Sequence, residues 1–236
     1  MKTVDVLAIG AHMGDEVAWG MTLASQVRQG LKVGLLYLTP GEKGHRTLSA
    51  DAYEILKREE SAACAEILGA ETWSLPYRDG ELPVSHEVKW AIADVIREAR
   101  PRLVITHWHG SIHKDHTNSH LNLPDARFFA GVPAFVRSRP AHWVGQVLYA
   151  ENWEDLRDFV PEVYVRVTAE DVDVWERAMR CYALFRGEVS DFPYLDYYRA
   201  LARTRGCEAG CEFACAFAVP PEARKKVLDR LVEPAG

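Results

Sequence analysis

Hydrophobic runs alternate with helix-like segments along the first half of the chain. Residues 4–9 are nearly all apolar, which is typical of a strand buried on both faces of a parallel sheet. Similar apolar runs cover residues 32–39 and 102–107, a short third strand is expected at residues 71–75, and helices are expected at residues 17–24, 52–68 and 88–99. This alternation predicts an α/β fold, a doubly wound (Rossmann-like), mostly parallel sheet flanked by helices.

The second half of the chain has a looser pattern. Strands are expected at residues 146–149, 163–167 and 212–219, and helices at residues 171–185, 195–205 and 222–232. No internal repeat, low-complexity tract or long linker divides the sequence, so residues 1–236 are expected to form a single domain.

Residues that can carry chemistry gather where two of the predicted strands end. His12 and Asp15 follow the first strand, and five of the nine histidines fall between His107 and His120, after the fourth strand. In a strand order of 3-2-1-4, strands one and four are neighbours, and ligands bind in the crevice between their carboxyl ends. Two histidines and one aspartate around an open position are typical of a catalytic zinc site. The same set would also accept iron, cobalt or manganese.

The composition argues against several classes of function. The chain has 28 basic and 34 acidic residues, a net charge of −6 and no basic run, so an extended nucleic-acid surface is not expected. No apolar stretch is long enough to span a bilayer and no signal peptide is recognised, which predicts a cytoplasmic protein without a membrane span. Five cysteines, an odd number, favour free thiols over a disulfide framework.

Two short motifs resemble those of the PIG-L/LmbE family of zinc-dependent N-deacetylases, which act on N-acetylglucosaminyl conjugates and related amides. The family motif Ala-His-Pro-Asp-Asp-Glu corresponds to Ala-His-Met-Gly-Asp-Glu at residues 11–16. The family motif His-Pro-Asp-His corresponds to His-Lys-Asp-His at residues 113–116. Weaker similarities cover residues 41–44, 58–69, 79–80 and 161–182. The resemblance therefore implies an LmbE-like fold.

The resemblance also implies roles for individual residues. His12, Asp15 and His116 would be the zinc ligands. His113 would stabilise the oxyanion or protonate the leaving amine, and Asp115 would orient the His113 imidazole.

Two further residues are predicted to contact the substrate. Glu42 lies in a polar loop, residues 40–46, at the same sheet edge as His12, and Arg58 lies in the predicted helix of residues 52–68. Plain surface positions are the alternative for both.

Gly14 is the main departure from the family pattern. The family has an aspartate here that serves as the general base, and losing a positioned base typically costs about 10²–10⁴-fold in rate. Three interpretations remain open. Glu16 or Glu42 substitutes for the missing base, the pair Asp115 and His113 serves as base and then acid, or the site binds metal without hydrolysing amides.

The leading functional expectation is a zinc-dependent hydrolase, an N-deacetylase that removes an acetyl or other acyl group from an amino-sugar conjugate or a related small amide. One alternative is a zinc-dependent hydratase on the same fold, and another is a non-catalytic metal- or carbohydrate-binding relative. A nucleotide-binding Rossmann protein is disfavoured because residues 10–14 lack suitably spaced glycines. The expected partner is a small N-acyl amino-sugar-like molecule, and the sequence leaves open whether chains associate as a homo-oligomer.

Overall fold

The computed structural model describes residues 2–155 and 157–224 and is built around a seven-stranded sheet in the order β3-β2-β1-β4-β5-β7-β6. The strands are β1 (Val6–His12), β2 (Val33–Thr39), β3 (Ala70–Ser74), β4 (Leu103–His107), β5 (Gln146–Ala150), β6 (Val163–Val167) and β7 (Phe213–Ala218). The α-helices are α1 (Gly20–Arg28), α2 (Ala50–Leu68), α3 (His86–Ala99), α4 (Lys114–Gly131), α5 (Ala169–Met179) and α6 (Tyr194–Glu208). Neighbouring strands are parallel except that β7 runs antiparallel to β5 and β6.

The central strand β1 is buried on both faces, as its apolar sequence predicts. Because side chains alternate across a strand, Val6 and Ala8 join a core with α1, α2, α5 and α6, whereas Leu7 and Ile9 join a second core with α3 and α4. The predicted fold class is confirmed. The first four strands follow the expected order, so the carboxyl ends of β1 and β4 meet at one edge.

Two helix predictions differ from the structure. The predicted first helix is preceded by a 3-10 turn, Asp15–Val17, and α1 begins only at Gly20. The helix predicted to reach residue 185 ends at Met179, because the following turns carry the Tyr182 hydroxyl to Glu16.

The helix predicted at residues 222–232 falls largely outside the described residues. Its first residues belong to a 3-10 turn, Pro221–Arg224, and residues 225–232 are not among those described. Within the described part of the chain, no helix is long and apolar enough to cross a membrane.

Candidate metal centre

Three side chains from different elements converge at the carboxyl end of β1. His12 ends the strand, Asp15 lies in the turn after it, and His116 lies in the first turn of α4. His12 Nδ1 lies 3.2 Å from His116 Nε2, and Asp15 Oδ1 lies 3.7 Å from the former and 3.4 Å from the latter. Ligand atoms bound at 2.0–2.2 Å to a tetrahedral zinc ion lie about 3.3–3.6 Å apart, so the three residues fit a divalent metal.

The remaining ring nitrogens of both histidines face carboxylates. His12 Nε2 lies 3.2 Å from Asp79 Oδ1 and 3.4 Å from Asp115 Oδ2, and His116 Nδ1 lies 3.3 Å from Glu154 Oε2. An imidazole that binds a metal commonly donates its other N–H to a carboxylate, which fixes its tautomer and orientation. The carboxylates therefore direct Nδ1 of His12 and Nε2 of His116 toward the same point.

Asp15 is held from two sides. Its Oδ2 accepts the backbone N–H of His12 at 2.7 Å and lies 2.9 Å from His107 Nε2. Burial alone would raise the pKa of Asp15, but the imidazoles of His116, His107 and His12 outweigh burial and hold its pKa well below the usual range. Asp15 is therefore an ionised carboxylate, the form that binds a metal.

The histidines of the centre differ in their affinity for protons. Burial lowers the pKa of His116, but the facing Asp15 carboxylate outweighs burial and raises that pKa to about 9. For His107, burial together with the neighbouring His116 lowers the pKa to about 4. The pKa of His12 is also well above its usual value, because Asp15, Asp115 and Asp79 outweigh burial. A metal that binds near neutral pH must therefore displace protons from His116 and His12, whereas His107 is already neutral.

A cavity of about 410 Å³ opens onto these side chains. His113 and Asp79 line it beside the three predicted ligands, and its apolar wall includes Phe185, Leu184 and Trp153. Such a combination of apolar lining and a few convergent polar groups is typical of a small-molecule site.

Comparisons with known proteins identify the family. The model of the family PIG-L, described as GlcNAc-PI de-N-acetylase, matches residues 7–126, which include His12, Asp15 and His116. The chain belongs to the PIG-L family.

Individual PIG-L relatives include more than one kind of enzyme. The diacetylchitobiose deacetylase of Thermococcus kodakarensis is 31% identical, covering 82% of this chain and 82% of the relative. The 4-oxalmesaconate hydratase of Pseudomonas putida is 24% identical, covering 86% of this chain and 80% of the relative. A conserved protein from Thermus thermophilus has a crystal structure that matches with a TM-score of 0.82 and 26% identity, over 99% of this chain and all of that one.

Of the sequence-predicted site residues, His12, Asp15, His116 and His113 come together at the cavity. His113 caps the amino end of α4, and its side chain is 37% exposed. Burial and the nearby His12 and His116 lower the pKa of His113, so it is neutral near pH 7. The roles assigned to these four residues by the resemblance to the PIG-L family remain predictions.

Asp115 does not orient His113 in the expected way. The Asp115 carboxylate accepts the backbone N–H of Gly80 at 2.6 Å and faces His12. His113 Nδ1 accepts the backbone N–H of Asp115 at 3.3 Å, and the carboxylate facing its Nε2, at 3.7 Å, is that of Asp79. Asp79 thus takes the position predicted for Asp115.

Glu16 does not reach the cavity. It is fully buried, and its Oε1 accepts the hydroxyls of Tyr37 and Tyr182 and the thiol of Cys64. Its Oε2 accepts the backbone N–H of Gly14 at 3.0 Å. Glu16 therefore supports the turn from behind, and its position argues against the predicted role as a substitute base.

The two predicted substrate-binding residues also lie outside the cavity lining. Glu42 is buried and accepts the backbone N–H of Asp79, so it positions Asp79 from behind. Arg58 lies on the outer surface of α2, where it pairs with Glu54 at 2.7 Å. Arg58 therefore matches the alternative interpretation, a surface charge.

Sequence reasoning missed four residues of the site: Asp79, His107, Glu154 and Lys57. Asp79 entered only as part of a weak similarity at residues 79–80. His107 and Glu154 lie in stretches whose histidine-rich or acidic character was visible, but no local pattern distinguished them from their neighbours. Lys57 carried no signal at all, because it lies within an ordinary amphipathic helix far from both motifs.

Proposed function

We propose that this chain is a metal-dependent N-deacylase that hydrolyses an acetyl or other acyl group from an amino-sugar conjugate or a related small amide. The observation that carries this proposal is the spacing of His12 Nδ1, Asp15 Oδ1 and His116 Nε2, which fits one tetrahedral metal with a position left for substrate. Deacetylase relatives support the reaction class. Zinc is the metal that this ligand set favours, and other divalent transition metals are alternatives.

When bound, the metal would polarise the amide carbonyl and lower the pKa of water to roughly 7. Asp79 and Asp115 face the outer nitrogen of His12, and Glu154 faces that of His116. The phenyl ring of Phe185 helps keep the cavity wall apolar, which strengthens polar interactions inside.

His113 is the residue best placed to assist the substrate directly. Because His113 Nδ1 accepts a backbone N–H, its neutral ring carries the proton at Nε2, the nitrogen that faces Asp79. That N–H can donate to an oxygen that gains negative charge during attack on the amide. The backbone N–H of Asp115 holds the ring in this orientation, and Asp79 Oδ1, 3.7 Å from Nε2, lies beyond hydrogen-bond distance and does not accept this N–H.

A second candidate, hydration of an unsaturated carboxylic acid, is favoured by one observation. Gly14 removes the carboxylate that would serve as the amidase base, and among the relatives is a hydratase that covers most of this chain. Addition of water to a double bond releases no amine, so it does not need the proton that amide hydrolysis transfers to its leaving group.

The test is acetate release from a panel of N-acetyl amino sugars by zinc-loaded protein and by chelator-stripped protein. Zinc-dependent release is expected, and His116→Ala should lose both bound zinc and release. His109→Ala is the matched control, since His109 is an exposed histidine of the same stretch outside the cavity. Zinc-loaded protein that is silent on the panel but hydrates unsaturated acids would reverse the order of the two candidates. Full zinc occupancy in His116→Ala would overturn the ligand assignment.

A further inference from the structure

Lys57 is a buried cation beside the candidate metal centre. It lies within α2 with 3% exposure, and its Nζ donates to the backbone carbonyl of Met13. The rings of Tyr182 and Tyr53 lie 5.0 and 5.7 Å from Nζ. Within residues 2–155 and 157–224, no carboxylate forms an ion pair with it. Lysine is almost never fully buried without such a partner.

The space next to this cation is the one that a side chain at position 14 would fill. A Cβ built on Gly14 would lie 3.3 Å from Lys57 Nζ and 3.6 Å from the Phe185 ring. Gly14, Lys57 and Phe185 all line the cavity that opens onto the candidate metal ligands. A ligand in the cavity can therefore enter the place that a longer side chain would otherwise block.

The hydrogen-bond donors beside this space suit an anion, and the carboxylates that lie near Lys57, those of Glu16, Asp15, Glu60 and Asp79, form no direct ion pair with it among the described residues. An ammonium group has three N–H donors, and Met13 O accepts one of them, which leaves two for a ligand. The motif that residues 11–16 resemble has an aspartate at position 14, and Gly14 brings no such carboxylate to the cavity wall beside Lys57. A ligand carboxylate in the cavity would thus supply the direct ion-pair partner that Lys57 lacks among the described residues.

The geometry points to a substrate-carboxylate subsite formed by Lys57 and Gly14. Lys57 is a specificity-determining residue that selects substrates carrying a carboxylate near the group that reacts at the metal centre. The inference rests on the proposed function in taking the ligand to be the substrate of that centre. The subsite also places a carboxylate of the substrate near the position that an aspartate holds in the motif Ala-His-Pro-Asp-Asp-Glu.

The test is equilibrium binding of a matched pair of probes, N-acetylglycine and its uncharged analogue N-acetylglycinamide, to the zinc-loaded protein by calorimetry. The wild-type chain should prefer the acid. Lys57→Met should weaken binding of the acid by about 30-fold or more, the usual cost of removing one partner of a buried charge pair, with little change for the amide. Lys57→Arg should keep most of the preference. Lys32→Met is the control, because Lys32 is exposed where β2 begins, at the opposite edge of the sheet.

The outcomes separate this inference from the proposed function. Binding is measured without turnover, so a Lys57-dependent preference in a protein that releases no acetate would retain the subsite and reject the deacylase. A Lys57→Met variant that keeps the preference would overturn the subsite, because the metal alone would then be selecting the acid. Methionine matches lysine in volume and leaves no buried charge, so the variant should fold, as thermal unfolding and zinc content would verify.

Discussion

Gly14 offers the sharpest test of how the turn and the cavity are built. Its φ of 108° and ψ of −15° lie in a region that residues with a Cβ rarely adopt. Holding a non-glycine residue in such a conformation costs about 1–3 kcal/mol. Gly14→Ala should therefore lower the free energy of unfolding by about 1–3 kcal/mol. In a chain of this size, each kcal/mol lowers the melting temperature by about 2–4 °C.

Gly14→Asp adds a carboxylate to the same backbone strain. Since Lys57 Nζ lies 3.3 Å from the new Cβ and is the flexible end of its side chain, the carboxylate can pair with it. The aspartate variant should accordingly be more stable than the alanine variant, and less stable than the wild type if strain exceeds the gain from pairing. With neutral N-acetyl amino sugars, which do not use the Lys57 subsite, it should also release acetate faster than the alanine variant, by up to about 10²-fold if the base is what limits the wild type.

Thermal or urea unfolding of the metal-loaded wild type, Gly14→Ala and Gly14→Asp proteins would compare their stabilities. Initial rates of acetate release would compare the activities of the two variants. An alanine variant as stable as the wild type would refute the argument from backbone strain. An aspartate variant less stable than the alanine variant would refute pairing with Lys57. Equal rates in the two variants would mean that some other group already serves as the base.

Two further predictions concern the histidines. His113→Ala should lower kcat by about 10²–10⁴-fold and leave zinc content unchanged, as steady-state kinetics and metal analysis would report; unaltered kcat would remove His113 from the mechanism. Zinc affinity should rise with pH up to at least about pH 9, by about tenfold per unit for each proton released, because Asp15 outweighs burial and raises the pKa of His116 to about 9 and that of His12 well above its usual value. Calorimetric titrations that give the same zinc affinity at pH 6 and pH 8 would contradict the expected rise of affinity with pH.

The first half of the sheet could be predicted because β1, β2 and β4 are apolar runs and the connections between the first four strands are helices. Such units place β1, β2 and β3 side by side, and the adjacency of β1 and β4 followed from the doubly wound order 3-2-1-4. The insertion of β7 between β5 and β6 did not, because antiparallel pairing between distant segments leaves no local signature. The early end of α5 was missed for a related reason, since a long-range bond from Tyr182 to Glu16 favours the turn.

The candidate site likewise contains residues that the sequence could place and residues that it could not. His12, Asp15 and His116 could be placed together because the two short motifs that contain them follow the neighbouring strands β1 and β4. Glu16 was misplaced because adjacent side chains in a helical turn point in different directions, so its neighbour Asp15 faces the cavity while Glu16 faces Tyr182. The contacts of Asp115 depend on the position of the Asp79–Gly80 turn, which no motif in α4 reveals.

Position 14 connects the two candidate reactions. The three predicted ligands and their supporting carboxylates would serve amide hydrolysis or hydration equally, because either reaction uses a metal that activates water. Beside them lies Lys57, whose Nζ would be 3.3 Å from a Cβ at position 14 and which has no direct ion-pair partner in the part of the chain described. A neutral amide would leave Lys57 without such a partner, whereas an acidic amide or an unsaturated acid would pair with it directly. The inferred subsite therefore selects for a substrate carboxylate under either candidate reaction.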